Sequence, residues 1–242
     1  MKEIKQSLAP YGTLRAAINL GNNVLAEQGD ENAPPSGISV ELVRQIASDF
    51  DLPVEYVIFN SAREVVEAAG QDVWDIAFLA RDPKRAEAIW FSEPYLLIEG
   101  SYLVREESDF QSNADVDQPG TRIAVGKGAA YDLYLSRTLE FATLLRASTT
   151  PGAVDLFIEQ KLEAAAGVRQ PLQAFAEQTP GFRVLSESFM TIEQTVALPV
   201  RYAALEVGIN QIISENLQSG FIHALVDRFD KRQAIVPETF GT

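Results

Sequence analysis

Hydrophobic and polar positions alternate in a strand-and-helix rhythm along the first hundred residues. Leu14-Arg15-Ala16-Ala17-Ile18 reads as a short strand, and the polar stretch 19–35 as a loop closed by Pro34-Pro35-Ser36-Gly37. Val40, Val43, Ile46, Ala47 and Phe50 then recur at helical spacing, with Ser39 as the expected N-cap, before Pro53 opens a strand over 54–59. Ser61-Ala62-Arg63-Glu64 has the form of a capping box, in which the Ser and Glu side chains take free backbone N–H groups at a helix start. Gly70 is the expected stop. The apolar run 73–79 predicts a third strand, and Asp82-Pro83 after it supplies an N-cap and a first-turn proline for a third helix.

The apolar stretch 95–104 leads into a polar run, 105–120, where the chain is expected to leave its first lobe. The pattern then restarts. Arg122-Ile123-Ala124-Val125 predicts a strand, Gly126-Lys127-Gly128 a turn, and Tyr131, Leu133, Tyr134, Leu135 and Leu139 a helix. Thr149-Thr150-Pro151 starts another helix, 162–168 is a short buried strand, and Pro171 opens one more helix. Two βα series predict two α/β lobes. Thr195-Val196-Ala197-Leu198-Pro199 is a further strand, followed by helices at 202–218 and 220–229, the second with Phe221, Leu225 and Phe229 on one face. No short-period repeat appears.

Composition narrows the function classes. The 242 residues are 46% hydrophobic and 22% charged, which suits a globular protein and excludes collagen-like or disordered chains. Thirty-four acids against 20 Lys plus Arg give a net charge of −14, which argues against nucleic acid and anionic membrane surfaces as partners. The absence of cysteine removes disulfides and thiolate nucleophiles, and leaves the compartment open. No stretch approaches the roughly 20 apolar residues that cross a bilayer, so no membrane insertion is expected. Residues 1–8 lack the apolar core of a secretory signal. A removed leader implies a periplasmic or extracellular protein; a native start at Met1 implies a cytoplasmic one.

The chemistry-bearing residues point to an anion. His223 is the only histidine and lies in the middle of an amphipathic C-terminal helix, a poor position for a Ser-His-Asp triad. No HExxH, EF-hand or Cys/His cluster exists, so neither a metal nor a cofactor is expected. Gly126-Lys127-Gly128 follows a strand and opens a helix, where backbone N–H groups and the helix dipole favour an anion. It fails both nucleotide fingerprints, because Tyr131 replaces the third glycine and no Ser or Thr follows Lys127. A bound carboxylate and a plain tight turn both fit. Arg81 and Arg85 flank Asp82-Pro83 at the strand-to-helix junction, where two guanidiniums can grip a carboxylate, although pairing of a surface Arg85 with Glu87 or Glu93 is the alternative.

At Arg85 and the following Phe91-Ser92-Glu93-Pro94-Tyr95 the chain resembles the extracellular solute-binding proteins of bacterial ABC transporters, in the polar amino-acid-binding family. The likeness runs from Gly12-Thr13-Leu14-Arg15 through Gly37-Ile38-Ser39-Val40-Glu41-Leu42, Trp74-Asp75-Ile76 and Gly120-Thr121-Arg122-Ile123-Ala124-Val125-Gly126-Lys127-Gly128 to Val207-Gly208-Ile209-Asn210. It implies an α/β protein of periplasmic-binding-protein type II. Two lobes, each a mixed sheet flanked by helices, are joined by two crossover strands and close on a ligand in the cleft between them. Lobe 1 is then 1–103 plus 197–242, and lobe 2 is 104–196. By the same resemblance Arg85 clamps the ligand's carboxylate, the backbone at Gly126, Gly128 and Ala130 assists, and Asn19 touches the ligand. The partner implied is an ABC transporter permease, and the chain is expected to act as a monomer.

Two departures from the family pattern bear on the ligand. Ala77-Phe78-Leu79-Ala80 replaces the Gly and Ser groups that usually hydrogen-bond an amino acid, so part of the polar floor at Phe78 and Ala80 is gone. Near Ala165-Ala166-Gly167-Val168-Arg169 the family usually offers an aspartate to an ammonium, whereas here Val168 and Arg169 stand. The expectation is a small carboxylate, with an apolar portion against Phe78 and a second anionic group near Arg169, rather than an ordinary α-amino acid. Two other readings remain: a dehydratase-like enzyme on the same scaffold, with Glu193 and Asp132 as the acids nearest the cleft, and a cytosolic ligand sensor.

Overall fold

A computed structural model describes residues 2–30 and 33–238. In chain order the elements are α1 (Lys2–Leu8), β1 (Leu14–Asn19), α2 (Ile38–Asp49), β2 (Val54–Phe59), α3 (Ala62–Glu67), β3 (Ile76–Ala80) and β4 (Ile89–Arg105). They continue with α4 (Asn113–Val116), β5 (Arg122–Gly126), α5 (Ala130–Thr138), β6 (Thr143–Ala147), α6 (Gly152–Glu159), β7 (Ala164–Val168), α7 (Arg169–Gln178) and β8 (Phe182–Val184). Last come β9 (Met190–Pro199), α8 (Glu206–Gln218) and α9 (Phe221–Arg228). The chain divides into two compact units, 1–97 with 193–242 and 98–192, so it passes between them inside β4 and again inside β9. Both passages fall a few residues before the expected boundaries at 103 and 197.

In the first unit β1 pairs in parallel with β2 on one side and β3 on the other, β3 pairs antiparallel with β9, and β9 is followed by β4. Period-two alternation sends Ala17, Ala77 and Leu79 to one face, where they form a core with Val65 of α3 and the buried Trp74. The indole N–H of Trp74 is satisfied by the Val65 carbonyl at 3.1 Å. Asp75 is wholly buried, and its carboxylate accepts from the Arg15 backbone N–H (3.0 Å), Nε (3.0 Å) and Nη2 (2.7 Å), which fixes the entry to β3 against β1.

The second unit repeats this plan. β5 pairs in parallel with β6 and β7, β7 pairs antiparallel with the 98–105 part of β4, and β8 adds to β4. Leu103, Ala124, Phe157, Leu162, Ala165 and Leu172 form its core.

Several local expectations are corrected. Ser39 is buried inside α2, whose N-cap is Gly37 at φ +129°. A Cβ there would lie 2.4 Å from the Leu25 carbonyl oxygen, so only glycine fits. The capping box at Ser61 is half formed: Ser61 Oγ accepts from Glu64 N–H, but the Glu64 carboxylate takes the N–H of Asn60. The helix expected after Asp82-Pro83 is a single 3-10 turn over Arg85–Glu87, and the third strand begins at Ile76, not at 73. The strands β6 and β8 and the helices α1 and α4 are additions to the sequence reading.

Candidate functional site

Because β2, β1 and β3 are parallel, their carboxyl ends Phe59, Asn19 and Ala80 meet one edge of the first unit's sheet, with the change of direction at β1. Open α/β sheets bind ligands at such an edge. Asn19 turns the chain there, its Oδ1 accepting from the Gly21 N–H at 2.9 Å. After β3 the Asp82 carboxylate accepts from the Lys84 N–H (2.8 Å) while the Asp82 carbonyl accepts from Arg85 and Ala86 (3.1 Å each). That tight turn folds Arg85 back, so its Nη1 donates to the Ala80 carbonyl at 2.8 Å. Arg85 is only 3% exposed. Burial lowers its pKa to about 10 against the opposing pull of Asp82. Such a desolvated guanidinium gains strongly from an added carboxylate.

The companions of Arg85 have different roles from those expected. Arg81 donates to the Ser92 carbonyl at 2.8 Å and stands 3.6 Å from Glu93 and 3.4 Å from Glu193, so it is already offset by two carboxylates. Phe78 is 2% exposed and packs edge-on against Tyr95, with ring centroids 6.2 Å apart; it is interior packing of the first unit, not an edge wall. Ala80 contributes the carbonyl that holds Arg85. A shallow groove of about 400 Å³ also opens on this unit, lined by Arg81, Asp82, Ala86, Trp90 and Val200 among others, and Arg85 is not part of its wall.

The parallel strands β6, β5 and β7 give the second unit a matching edge at Ala147, Gly126 and Val168. Gly126 is required by close approach, since a Cβ would come 2.9 Å from Thr150 Cα. The N–H of Gly128 is already met by Asp132 Oδ2 at 2.8 Å, and Asp132 Oδ1 receives Arg146 Nε at 2.9 Å. The chain's own buried carboxylate thus takes part of the anion position read from Gly126-Lys127-Gly128. Ala130 begins α5, whose N-cap Ala129 makes no side-chain capping bond.

Arg169 corrects the expectation of a second anion. Its Nε donates to Glu99 Oε2 at 2.7 Å, its Nη1 to the Leu185 carbonyl at 2.9 Å and its Nη2 to the Ser186 carbonyl at 3.1 Å. Glu99 was not singled out by sequence reasoning. Its one signal is an acid inside the apolar stretch 95–104.

Other motif residues prove to be fasteners. Ser92 is fully buried, accepts from the Val196 N–H at 2.9 Å and donates to the Glu93 carbonyl at 2.7 Å, while Asn210 accepts from the Glu93 N–H at 2.8 Å. His223 is exposed on α9. Among the described residues no group of His, Asp and Glu is arranged to hold a metal ion, and no helix is long and apolar enough to cross a membrane.

The model of the bacterial extracellular solute-binding proteins, family 3, matches residues 18–231. Among solved structures, the solute receptor for L-cysteine of Neisseria gonorrhoeae is 20% identical with a TM-score of 0.81, covering 97% of this chain and 99% of that one. A mutant of ArgBP from T. maritima is 19% identical with a TM-score of 0.78, covering 94% of this chain and 99% of that one. An ancestral amino-acid-binding protein described as a precursor of cyclohexadienyl dehydratase is 18% identical with a TM-score of 0.77, covering 93% of this chain and 98% of that one. No curated protein matches the sequence.

Proposed function

The chain belongs to the bacterial extracellular solute-binding proteins of family 3, and on that premise we propose that it captures a small carboxylic acid for an ABC-type importer. The observation that carries the proposal is Arg85, a guanidinium 3% exposed at the carboxyl edge of the first unit's sheet, with its pKa lowered to about 10 by burial. A carboxylate ligand adds a charge-assisted contact to a guanidinium that burial has desolvated. Asn19 and Ala80 share that edge, and Gly126, Gly128 and Ala130 occupy the matching edge of the second unit. Closure of the two lobes on the ligand, a periplasmic location, a permease partner and a monomeric state belong to the same proposal and come from the family.

An organic acid is favoured over an α-amino acid. The Ala77–Ala80 run supplies no hydroxyl to serve an ammonium, and the one acid beside the second unit's β7 end, Glu99, is already taken by Arg169. A thermal-shift panel of amino acids, keto acids, dicarboxylates and aromatic acids, followed by calorimetry, tests this. Tight binding of common amino acids with none of the other acids would overturn the preference.

A dehydratase-like activity is the second reading, prompted by the likeness to a dehydratase precursor. The two acids that such an activity would draw on both have partners: Asp132 has Gly128, Arg146 and Ser136, and Glu193 has Arg81. That supports binding without turnover. Recovery of each acid unchanged after prolonged incubation, read by mass spectrometry, separates the readings.

A further inference from the structure

Arg169 sits where a cation gains nothing from its helix. It is the first residue of α7, a position at which the helix dipole disfavours positive charge, and no acid lies in that first turn to offset it. Its side chain is nevertheless only 14% exposed. Each of its three nitrogens meets an oxygen: the Glu99 carboxylate and the carbonyls of Leu185 and Ser186.

The backbone that carries these oxygens is tied down by bonds that do not involve Arg169. The antiparallel register of Gly100 with Val168 brings Glu99 level with Arg169. Leu185 is fixed by its own N–H to the Tyr102 carbonyl at 2.9 Å, and the single O–H of Ser101 is shared between the carbonyls of Leu185 (3.0 Å) and Glu187 (2.9 Å). Ser188 Oγ ties the next residues to the Gly100 carbonyl at 3.1 Å. One carboxylate and two carbonyls around a planar cation, carried on backbone that is fixed without it, have the composition of a guanidinium receptor.

We propose that Glu99 and the Leu185 and Ser186 carbonyls form a binding site for an alkylguanidinium, and that Arg169 is its tethered occupant, closing the ligand-facing edge of the second unit to cationic groups. That this edge faces the ligand rests on the function proposed above; the receptor itself does not. Tethering gives the side chain an effective concentration that free cations do not match, so the native protein excludes them. The arginine then acts on specificity by occupying a cation site, in place of the anion contact its charge suggests.

The test is chemical rescue of Arg169→Ala by ethylguanidinium, with NaCl at matched ionic strength as control. The variant is expected to melt below the wild type and to recover at least about 2 °C with ethylguanidinium but not with NaCl. The wild type and the double variant Arg169→Ala/Glu99→Gln should show no selective recovery. Absence of recovery in the single variant, or equal recovery in all three proteins, overturns the proposal. Should Arg169→Ala fail to fold alone, refolding yield with and without ethylguanidinium decides the same question. No carboxylic acid enters these measurements, so they stand whether the ligand panel on the wild type succeeds or fails.

Discussion

Replacing Arg85 by methionine separates ligand capture from stability. Methionine keeps much of the volume and removes the charge. The folded-state pKa of about 10 lies below the ordinary guanidinium value of roughly 12.5, and at about 1.4 kcal/mol per pH unit the buried charge costs the ligand-free protein about 3 kcal/mol. Against this, the Ala80 carbonyl loses its donor, which costs about 1–3 kcal/mol. The ligand-free variant should therefore be as stable as the wild type or up to about 2 kcal/mol more stable, read as a shift in urea midpoint at unchanged slope. Carboxylate binding should weaken by about 2–5 kcal/mol, or roughly 30- to 4,000-fold by calorimetry. The pH dependence has a definite sign. A depressed basic pKa means the native state sheds this proton before the unfolded chain does, so the cost is complete below pH about 10 and fades above it. Wild-type stability should gain on the variant as pH rises through that alkaline window. A variant that loses more than about 2 kcal/mol while binding carboxylates as before would show that Arg85 is a packing strut and remove the main support for the proposed function.

Asp75→Ala should destabilise the first unit by about 3–5 kcal/mol in urea unfolding, because it leaves the Arg15 guanidinium and backbone N–H without their buried acceptor. Gly37→Ala should cost at least about 1–3 kcal/mol, since φ +129° and the Leu25 carbonyl both oppose a Cβ; a neutral result would mean that the α2 N-terminus shifts freely. Asp117 is pulled up by burial and further down by the N–H groups of Glu140, Phe141 and Ala142, so its net pKa is lowered. Its contribution to stability is present above the ordinary aspartate range and is lost as pH falls through its folded value, and Asp117→Asn should flatten that part of the acid limb of a melting-temperature profile.

The elements easiest to read from sequence were those whose signal is local. β1, β2 and β5 are short apolar runs, and α2 and α5 have helical spacing, each beside a turn residue or proline. β6 escaped because Thr143-Leu144-Leu145-Arg146-Ala147 is a half-exposed strand with no alternation and no flanking glycine. β8 is three residues long, below the reach of any periodicity. The length of β4 was hidden by Pro94 and by two acids inside it, Glu93 and Glu99. At the site, Arg85 was visible through its position after a strand and its Phe-Ser-x-Pro-Tyr neighbourhood, but its burial depends on the turn at Asp82 and on the Ala80 carbonyl. Arg81 and Arg169 looked equivalent to it because sequence counts charges and does not show their partners.

Those partners alter what the basic residues mean for a chain of net charge −14. Arg81 is shared by two glutamates, Arg146 answers Asp132, and Arg169 answers Glu99, so a concentration of positive charge at the two sheet edges does not follow from the presence of arginines there. The two units reach this state by the same topology, a parallel β2-β1-β3 or β6-β5-β7 set with an antiparallel neighbour, yet they treat their edges differently. The first buries a guanidinium whose pKa is lowered; the second supplies internal partners for both of its polar positions, a carboxylate on Gly128 and a guanidinium on Glu99. On the proposed function, the charge complement of the ligand comes from the first edge, where the buried cation is. A single carboxylate on a body without a cation is the ligand this proposal predicts, because in the second unit Asp132 already takes the Gly128 N–H and Arg169 already takes Glu99.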